Sequence, residues 1–353
     1  MEDEKINILI VGHGKSAQAL KQKLESNTNA EKVFVSDNID LRENDETGLL
    51  KFALENNINM TIPISMTALN SDIVSFFQAN GQNIFGPNKK SCQITLNKIQ
   101  GKKFLYKIHA QTPKFGIFDK TQQALDYLKT ANFPVIISTS DGKDSITCTT
   151  ISLASQFLNE TINFHGETDI LIEEYTYGHN FTVYFITDGY GAIPFASVGE
   201  YKYSTCEKAG AKYGKGCYIP DFRVSQTVIS RLENIVNNTL KTLDNKENPY
   251  SGILGIKCIL TGEDKFVVKG FKPFFEDFET EAILRTIDED LIKLFYSCIN
   301  GYFSDEYNQI QTNDICSVST TIKHNNKVLT QSARTIKRAK ELLSEEIEDI
   351  IVR

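Results

Sequence analysis

Short apolar runs alternate with helical periodicity through the first hundred residues. Ile6-Asn7-Ile8-Leu9-Ile10-Val11 ends in Gly12-His13-Gly14 and is followed by Ala17, Leu20 and Leu24, a pattern that predicts a strand, a glycine turn and a helix. An apolar run at Val33-Phe34-Val35, a helix around Leu49 to Leu54, a strand at Met60-Thr61-Ile62 and a helix near Ile73 to Phe77 continue the alternation. A small doubly wound unit with a parallel sheet is expected over residues 1–87.

The pattern changes after Phe85-Gly86-Pro87. A polar helix carrying Lys98, Lys102 and Lys103 leads through Thr112-Pro113 to the strand Phe115-Gly116-Ile117-Phe118. Ala124 to Leu128 reads as helix and Pro134-Val135-Ile136-Ile137 as strand, with Asp141-Gly142 turning into Ile146-Thr147-Cys148-Thr149. A small mixed α+β module is expected there. Strands follow at 170–174, 181–186 and Ala192-Ile193, then a loop rich in Gly, Lys and Tyr over 199–218. A helix from Val224 to Leu243 precedes strands near 253–260 and 266–268. The last stretch holds a strand at Val318 to Ile322, the run Lys327-Val328-Leu329 and an amphipathic helix from Thr335 to about Ile351.

Composition narrows the function classes. With 353 residues, 41% of them hydrophobic, the chain can bury a core divided among two or three subdomains. A net charge of -7 opposes nucleic-acid and anionic-membrane partners. The dense basic run Lys337-Arg338-Ala339-Lys340 reads as a solvated helix face. The cysteines at 92, 148, 206, 217, 258, 298 and 316 are odd in number and none is spaced C-x-x-C, so reduced thiols are expected. The acidic start Met1-Glu2-Asp3-Glu4-Lys5 lacks an apolar segment, and no run approaches the roughly 18 apolar residues of a membrane span. A soluble, cytoplasmic protein is expected.

Conventional catalytic constellations are missing. His13, His109, His165, His179 and His324 have no acidic partner at ligand spacing and read as structural or surface residues. The chain carries neither a Gly-x-Ser-x-Gly elbow nor a Walker sequence. Phe271, Phe274, Phe275 and Phe278 read as core or lid packing, with an apolar partner surface as the alternative.

Taken in order, the motifs resemble the glycinamide ribonucleotide synthetase (phosphoribosylamine-glycine ligase) family over roughly residues 6 to 303. The residues that carry the resemblance are Gly12-His13-Gly14 with Ala19-Leu20, Phe85-Gly86-Pro87, Lys98, Ile172-Glu173-Glu174-Tyr175 with Gly178, and Thr187-Asp188-Gly189. Tyr250-Ser251-Gly252 and Phe274 with Asp277, Glu279, Thr280 and Leu284-Arg285 complete it. The resemblance implies an α/β fold. A doubly wound (pre-ATP-grasp) domain at 1–87 would precede an ATP-grasp domain of two α+β subdomains at 88–303, its lid-like part at about 112–168. A reduced segment at 304–353 would end in a helix.

The resemblance also implies a reaction in which ATP phosphorylates the glycine carboxylate and the amine of phosphoribosylamine displaces phosphate. Lys98 would reach the nucleotide phosphates, and Glu173, Glu174 and Tyr175 would form the adenine-binding hinge. Gly12, Gly14, Lys15 and Ser16 would form the substrate-like loop.

Several positions depart from that family. Where it places a Glu and an Asn as magnesium ligands, this chain has Lys269 and Phe271, which offer no such oxygen. ATP is therefore the expected cofactor, magnesium is not expected in the family's manner, and no residue is assigned to catalysis or metal binding. Lys269 is open to two readings, a substitute cation or a surface lysine. A second nucleotide lysine is replaced by Ser138, and a glycine-rich loop by Lys143-Asp144-Ser145-Ile146. Asp144 would repel phosphate, whereas Lys143 could reach it. Lys15-Ser16-Ala17-Gln18 stands for Gly-Arg-Glu-His, and the Gly-Pro-Glu loop is replaced near Pro63-Ile64-Ser65.

Lys15 and Ser16 could hold an anion at a helix start, or the turn could serve packing alone. Gly210, Gly214 and Gly216 with Lys202, Lys208, Lys212 and Lys215 make an anion-binding loop or a solvated one. The expectation is a catalytically degenerate ATP-grasp protein with a nucleotide or a protein as partner. An active divergent ligase drawing metal oxygens from Glu276, Asp277 or Glu279 is one alternative. An interaction protein without a nucleotide site is the other.

Overall fold

A computed structural model of the chain describes residues 5–142, 144–202, 213–244, 248–322 and 327–352. Met1 to Glu4, Lys143, Cys206, Lys208, Gly210, Lys212 and His324 lie outside the described residues, as do the side chain of Lys202 and the surroundings of Gly214. The order opens with β1 (Ile6–Val11), α1 (Gly14–Glu25), β2 (Ala30–Val35), α2 (Glu46–Glu55), β3 (Ile58–Pro63), α3 (Met66–Leu69) and α4 (Ile73–Ala79). It continues with α5 (Lys89–Leu96), α6 (Lys98–Lys107), β4 (Phe115–Phe118), α7 (Thr121–Leu128), β5 (Val135–Thr139), β6 (Ser145–Cys148), α8 (Ile151–His165) and β7 (Ile170–Glu174). Next come β8 (His179–Asp188), β9 (Ala192–Lys202), β10 (Tyr213–Ile219), α9 (Gln226–Asp244), β11 (Ser251–Gly262) and β12 (Lys265–Lys272). The chain then forms α10 (Asp277–Thr286), α11 (Leu291–Asn300), α12 (Phe303–Glu306), β13 (Cys316–Ile322), β14 (Lys327–Ala333) and α13 (Ile336–Val352).

These elements gather into two units, one of Met1–Cys92, Asn180–Ile256 and Lys272–Arg353, the other of Gln93–His179 and Lys257–Phe271. In the first, β2, β1 and β3 pair in parallel in the order β2-β1-β3. The apolar run of β1 is continuous because both of its faces are covered. Ile6, Ile8 and Ile10 join Leu20 and Leu24 of α1, while Leu9 and Val11 join Leu49 of α2 and Phe77 of α4.

The same unit holds β8, β9, β10, β13 and β14 in that order, each antiparallel to the next. Every residue of β8 from Phe181 to Asp188 is buried. At the far edge α13 sets Ala339, Leu343 and Ile347 against Tyr218, Val318 and Leu329. The expected loop at 199–218 is strand at both described ends, with Lys215 opposite Lys202 and Tyr218 opposite Gly199. Gly199 and Gly216 are part of the pairing. A Cβ on Gly199 would lie 2.2 Å from the Tyr218 ring, and one on Gly216 would lie 2.5 Å from that of Tyr201. Glycine lets each tyrosine lie across the neighbouring strand, which composition alone reads as loop.

In the second unit β4, β7, β5 and β6 form an antiparallel sheet in the order β4-β7-β5-β6. Ala124 and Leu128 of α7 and Ala154 and Leu158 of α8 cover it. No described helix is long and apolar enough to cross a membrane.

Candidate functional site

In the second unit the start of α6 is pinned to the β5–β6 hairpin. Asn97 caps the helix by accepting from Gln100 N at 2.9 Å, and Lys98 N donates to Ser140 O at 2.8 Å. The Lys98 side chain then runs beneath Gly142, whose φ is +71° and whose added Cβ would lie 2.6 Å from Lys98 Cε. Glycine suits that turn, because its φ is one that other side chains adopt rarely. Lys98 Nζ donates to Ser138 Oγ at 3.0 Å and Ser145 Oγ at 3.4 Å, and the two hydroxyls lie 2.9 Å apart on paired strand positions.

Burial lowers the Lys98 ammonium below the ordinary lysine range. The charge of Glu173 opposes this and those of Lys269 and Lys102 add to it, with Asp141 a weaker opposing term. Lys102, 2% exposed, is held by Glu173 at 2.7 Å and donates to Thr112 Oγ1 at 2.6 Å. Ser138 thus stands beside Lys98, and Lys269 is close enough to act on it electrostatically. Ammonium groups beside hydroxyl donors suit an anion.

The expected hinge is divided. Glu173 belongs to this cluster but is committed to Lys102, whereas Glu174 lies 3.8 Å from Lys114. Tyr175 follows the strand and packs edge-on against the exposed Tyr177 at 4.8 Å. Phe271 packs against Phe104 at 6.1 Å, buried within this unit. Asp144 bonds His165 Nε2 at 2.8 Å.

In the first unit the turn before α1 shows what its glycines are for. A Cβ on Gly12 would lie 2.5 Å from Ile64 Cγ1, and Gly14 has φ +72°. The start of a helix presents unpaired N–H groups and favours an anion. Here the anion is Asp277 of the same unit: Ser16 donates to its Oδ1 from N at 3.2 Å and from Oγ at 2.7 Å, and Ser16 Oγ also lies 2.8 Å from Thr280 Oγ1. Lys15 is exposed.

His13, at the N-cap, bonds through Nδ1 to Glu43, whose other oxygen accepts from Ser65 Oγ at 2.6 Å. The Glu43 hydrogen bond raises the His13 pKa. Thus two histidines expected to lack acidic partners, His13 and His165, have them through residues distant in sequence.

A third arrangement closes β12. Lys272 Nζ lies 2.8 Å from Glu276, 2.9 Å from Glu279 and 3.8 Å from Glu200. Glu279 has no exposed surface. Its second oxygen accepts from Tyr184 Oη and, at 2.9 Å, from Glu276 N. Burial works against the lysine charge, but Glu279, Glu276 and Glu200 outweigh it and hold the ammonium above its ordinary range. The sequence signal for this cluster was one lysine in an apolar run with glutamates four and seven residues later.

Magnesium does not fit this end of β12. The Lys272 ammonium sits among the carboxylates, and among the described residues no group of three or more His, Cys, Asp or Glu side chains is arranged to hold a metal ion. Each carboxylate considered as an alternative metal ligand is engaged, Glu276 and Glu279 by Lys272 and Asp277 by Ser16. All four phenylalanines of the 271–278 cluster are buried, each at most 7% exposed.

The models for the phosphoribosylglycinamide synthetase N domain and ATP-grasp (A) domain match residues 6–95 and 96–280. Phosphoribosylamine-glycine ligase of Fusobacterium nucleatum is 27% identical over 317 residues, covering 84% of this chain and 74% of the relative. That of Clostridium acetobutylicum is 25% identical over 321 residues, covering 85% and 76%. The crystal structure of the ligase from Thermotoga maritima matches with a TM-score of 0.74 at 15% identity, over 97% and 96% of the two chains. N5-carboxyaminoimidazole synthase from Aspergillus clavatus, solved with ADP and its ribonucleotide, matches with a TM-score of 0.68 at 10% identity, over 99% of each chain. At such identities the structural matches show a shared fold.

Proposed function

Since this chain belongs to the phosphoribosylglycinamide synthetase family and has its ATP-grasp fold, we propose that it is a ligase-like protein that keeps a nucleotide site but no longer forms glycinamide ribonucleotide. The nucleotide site is the cluster around Lys98. Its phosphates would meet the Lys98 ammonium and the hydroxyls of Ser138 and Ser145, with Lys269 adding positive potential. Glu173, Glu174 and Tyr175 lie on and just beyond the strand that would flank the base.

The observation that carries the loss of ligation is the pair Lys269 and Phe271, which offer no oxygen ligand where the family places its magnesium ligands; the start of α1 is in addition occupied by Asp277. A substrate phosphate arriving there would have to displace a carboxylate bonded to both Ser16 N and Ser16 Oγ. Until that carboxylate moved, the two anions would repel each other. Lys15, exposed beside it, is a single mobile charge and is no substitute for a clamp.

Two measurements test the proposal. Calorimetry should find ATP binding that Lys98→Ala abolishes. Incubation with ATP, glycine and phosphoribosylamine should yield glycinamide ribonucleotide at no more than the rate of that variant. Product well above the control would overturn the loss of ligation, and absence of ATP binding would overturn the nucleotide site.

A further inference from the structure

We infer that the first unit carries a second ligand site, a cavity of about 510 Å3, and that the site takes an amino acid with a large apolar side chain. The cavity is bounded by β8, β9, the end of β10, the start of α9 and the segment before β13. Val183 and Phe195, 1% and 4% exposed, are buried wall residues, and Ile229 and Ile315 line it with them. A cavity of this size, mainly apolar with a few polar groups, is the usual form of a small-molecule site. Phe222, 73% exposed, stands in the same lining, an aromatic ring that an apolar ligand would cover. Lys98 and its partners lie in the other unit and take no part.

Charge chooses among apolar ligands. The lining holds one charged residue of each sign, Arg334 and Asp314, both exposed and neither in an ion pair among the described residues. The β13–β14 pairing brings them to one end of that hairpin: Cys316 stands opposite Ala333, and Cys316 Sγ donates to Arg334 O at 3.8 Å. Beside Asp314, Asn313 N donates to Thr286 O at 2.8 Å and Asn313 Nδ2 to Arg285 O at 3.1 Å, which fastens this wall to the end of α10. On another wall Asp221 N donates to Ser197 O at 3.1 Å and ties the turn before Phe222 to β9. A lone carboxylate would be drawn by Arg334 and repelled by Asp314, and a lone amine the reverse. A zwitterion satisfies both and leaves its side chain for the apolar walls. Because the walls are tied by hydrogen bonds, little ordering opposes binding.

The test uses the full chain with L-phenylalanine, L-leucine and L-tryptophan as probes, read by calorimetry. At least one should bind with a Kd below about 1 mM. Removing the ammonium or the carboxylate from that probe, as in 3-phenylpropionate or 2-phenylethylamine for phenylalanine, should weaken binding at least about tenfold. Arg334→Gln should weaken the amino acid by a similar factor without weakening the amine analogue. Asp314→Asn should weaken the amino acid without weakening the carboxylate analogue. Ile229→Trp, which fills the cavity, should abolish amino-acid binding and leave ATP binding as in the wild type.

Absence of binding by all three probes at about 10 mM would overturn the inference. So would analogues that bind as tightly as the amino acid, or binding that survives in folded Ile229→Trp. If Ile229→Trp does not fold, the exposed pair decides: amino-acid binding unchanged in both Arg334→Gln and Asp314→Asn would overturn the inference. Failure of ATP to bind the wild type is a separate readout and bears on the Lys98 cluster alone.

Discussion

The Lys272 ammonium lies 2.9 Å from the carboxylate of Glu279, a side chain with no surface in contact with solvent. Breaking a buried pair from one side leaves the other charge uncompensated. Lys272→Met should therefore destabilise the first unit by about 3–5 kcal/mol in urea unfolding, and Lys272→Met with Glu279→Gln should recover part of that loss. A loss below about 1 kcal/mol would mean the pair behaves as a surface contact.

Asp277 caps α1 from another helix. Asp277→Ala should remove about 1–2 kcal/mol of stability, the range for losing a charge-assisted cap. It should also free the helix start for an external anion, so sulfate should raise the melting temperature of the variant more than that of the wild type. Equal effects of sulfate on both proteins would show that Asp277 does not guard an anion seat.

The His13–Glu43 pair gives a pH dependence with a defined sign. The hydrogen bond to Glu43 raises the folded pKa of His13 above its unfolded value of about 6.5. The contribution is therefore complete below about pH 6.5 and is lost as pH rises through the raised value. The imidazole is 69% exposed, so the effect should stay under about 1 kcal/mol. The stability difference between wild type and His13→Gln should be larger at acid pH and shrink as the pH is raised; the opposite trend would refute the assignment.

Lys98 predicts proton uptake. Burial lowers its pKa, and a bound phosphate would raise it again. ATP binding at alkaline pH should take up protons, measured by calorimetry in buffers of different ionisation enthalpy, and Lys98→Ala should abolish the uptake.

Gly216 marks a close approach between strands. Its added Cβ would meet the Tyr201 ring at 2.5 Å and the Ser319 carbonyl at 2.7 Å. Gly216→Ala should destabilise by about 1–3 kcal/mol by overpacking, checked by thermal unfolding.

Much of the fold was legible because local pattern and final packing agree. The β1–α1–β2 alternation has apolar residues for both faces of a covered parallel sheet, and Asp141-Gly142 marks the β5–β6 hairpin. The ends of 199–218 were not legible, since Gly199 and Gly216 serve ring packing across strands that the chain brings together only after folding. Ser138 was seen as the loss of a charge, and its partnership with Lys98 needed the hairpin and α6 in place.

By itself the sequence determined the β/α order and the family. The tertiary structure decided where the charges stand. It brought Asp277 to Ser16 across 261 residues, His13 to Glu43 across 30, and Lys272 to Glu200 from a different strand. Local order follows from period and turn chemistry, which a short window contains. A carboxylate's role as metal ligand, helix cap or counter-ion depends on which charge lies within a few ångströms, and sheet pairing and helix docking fix that distance.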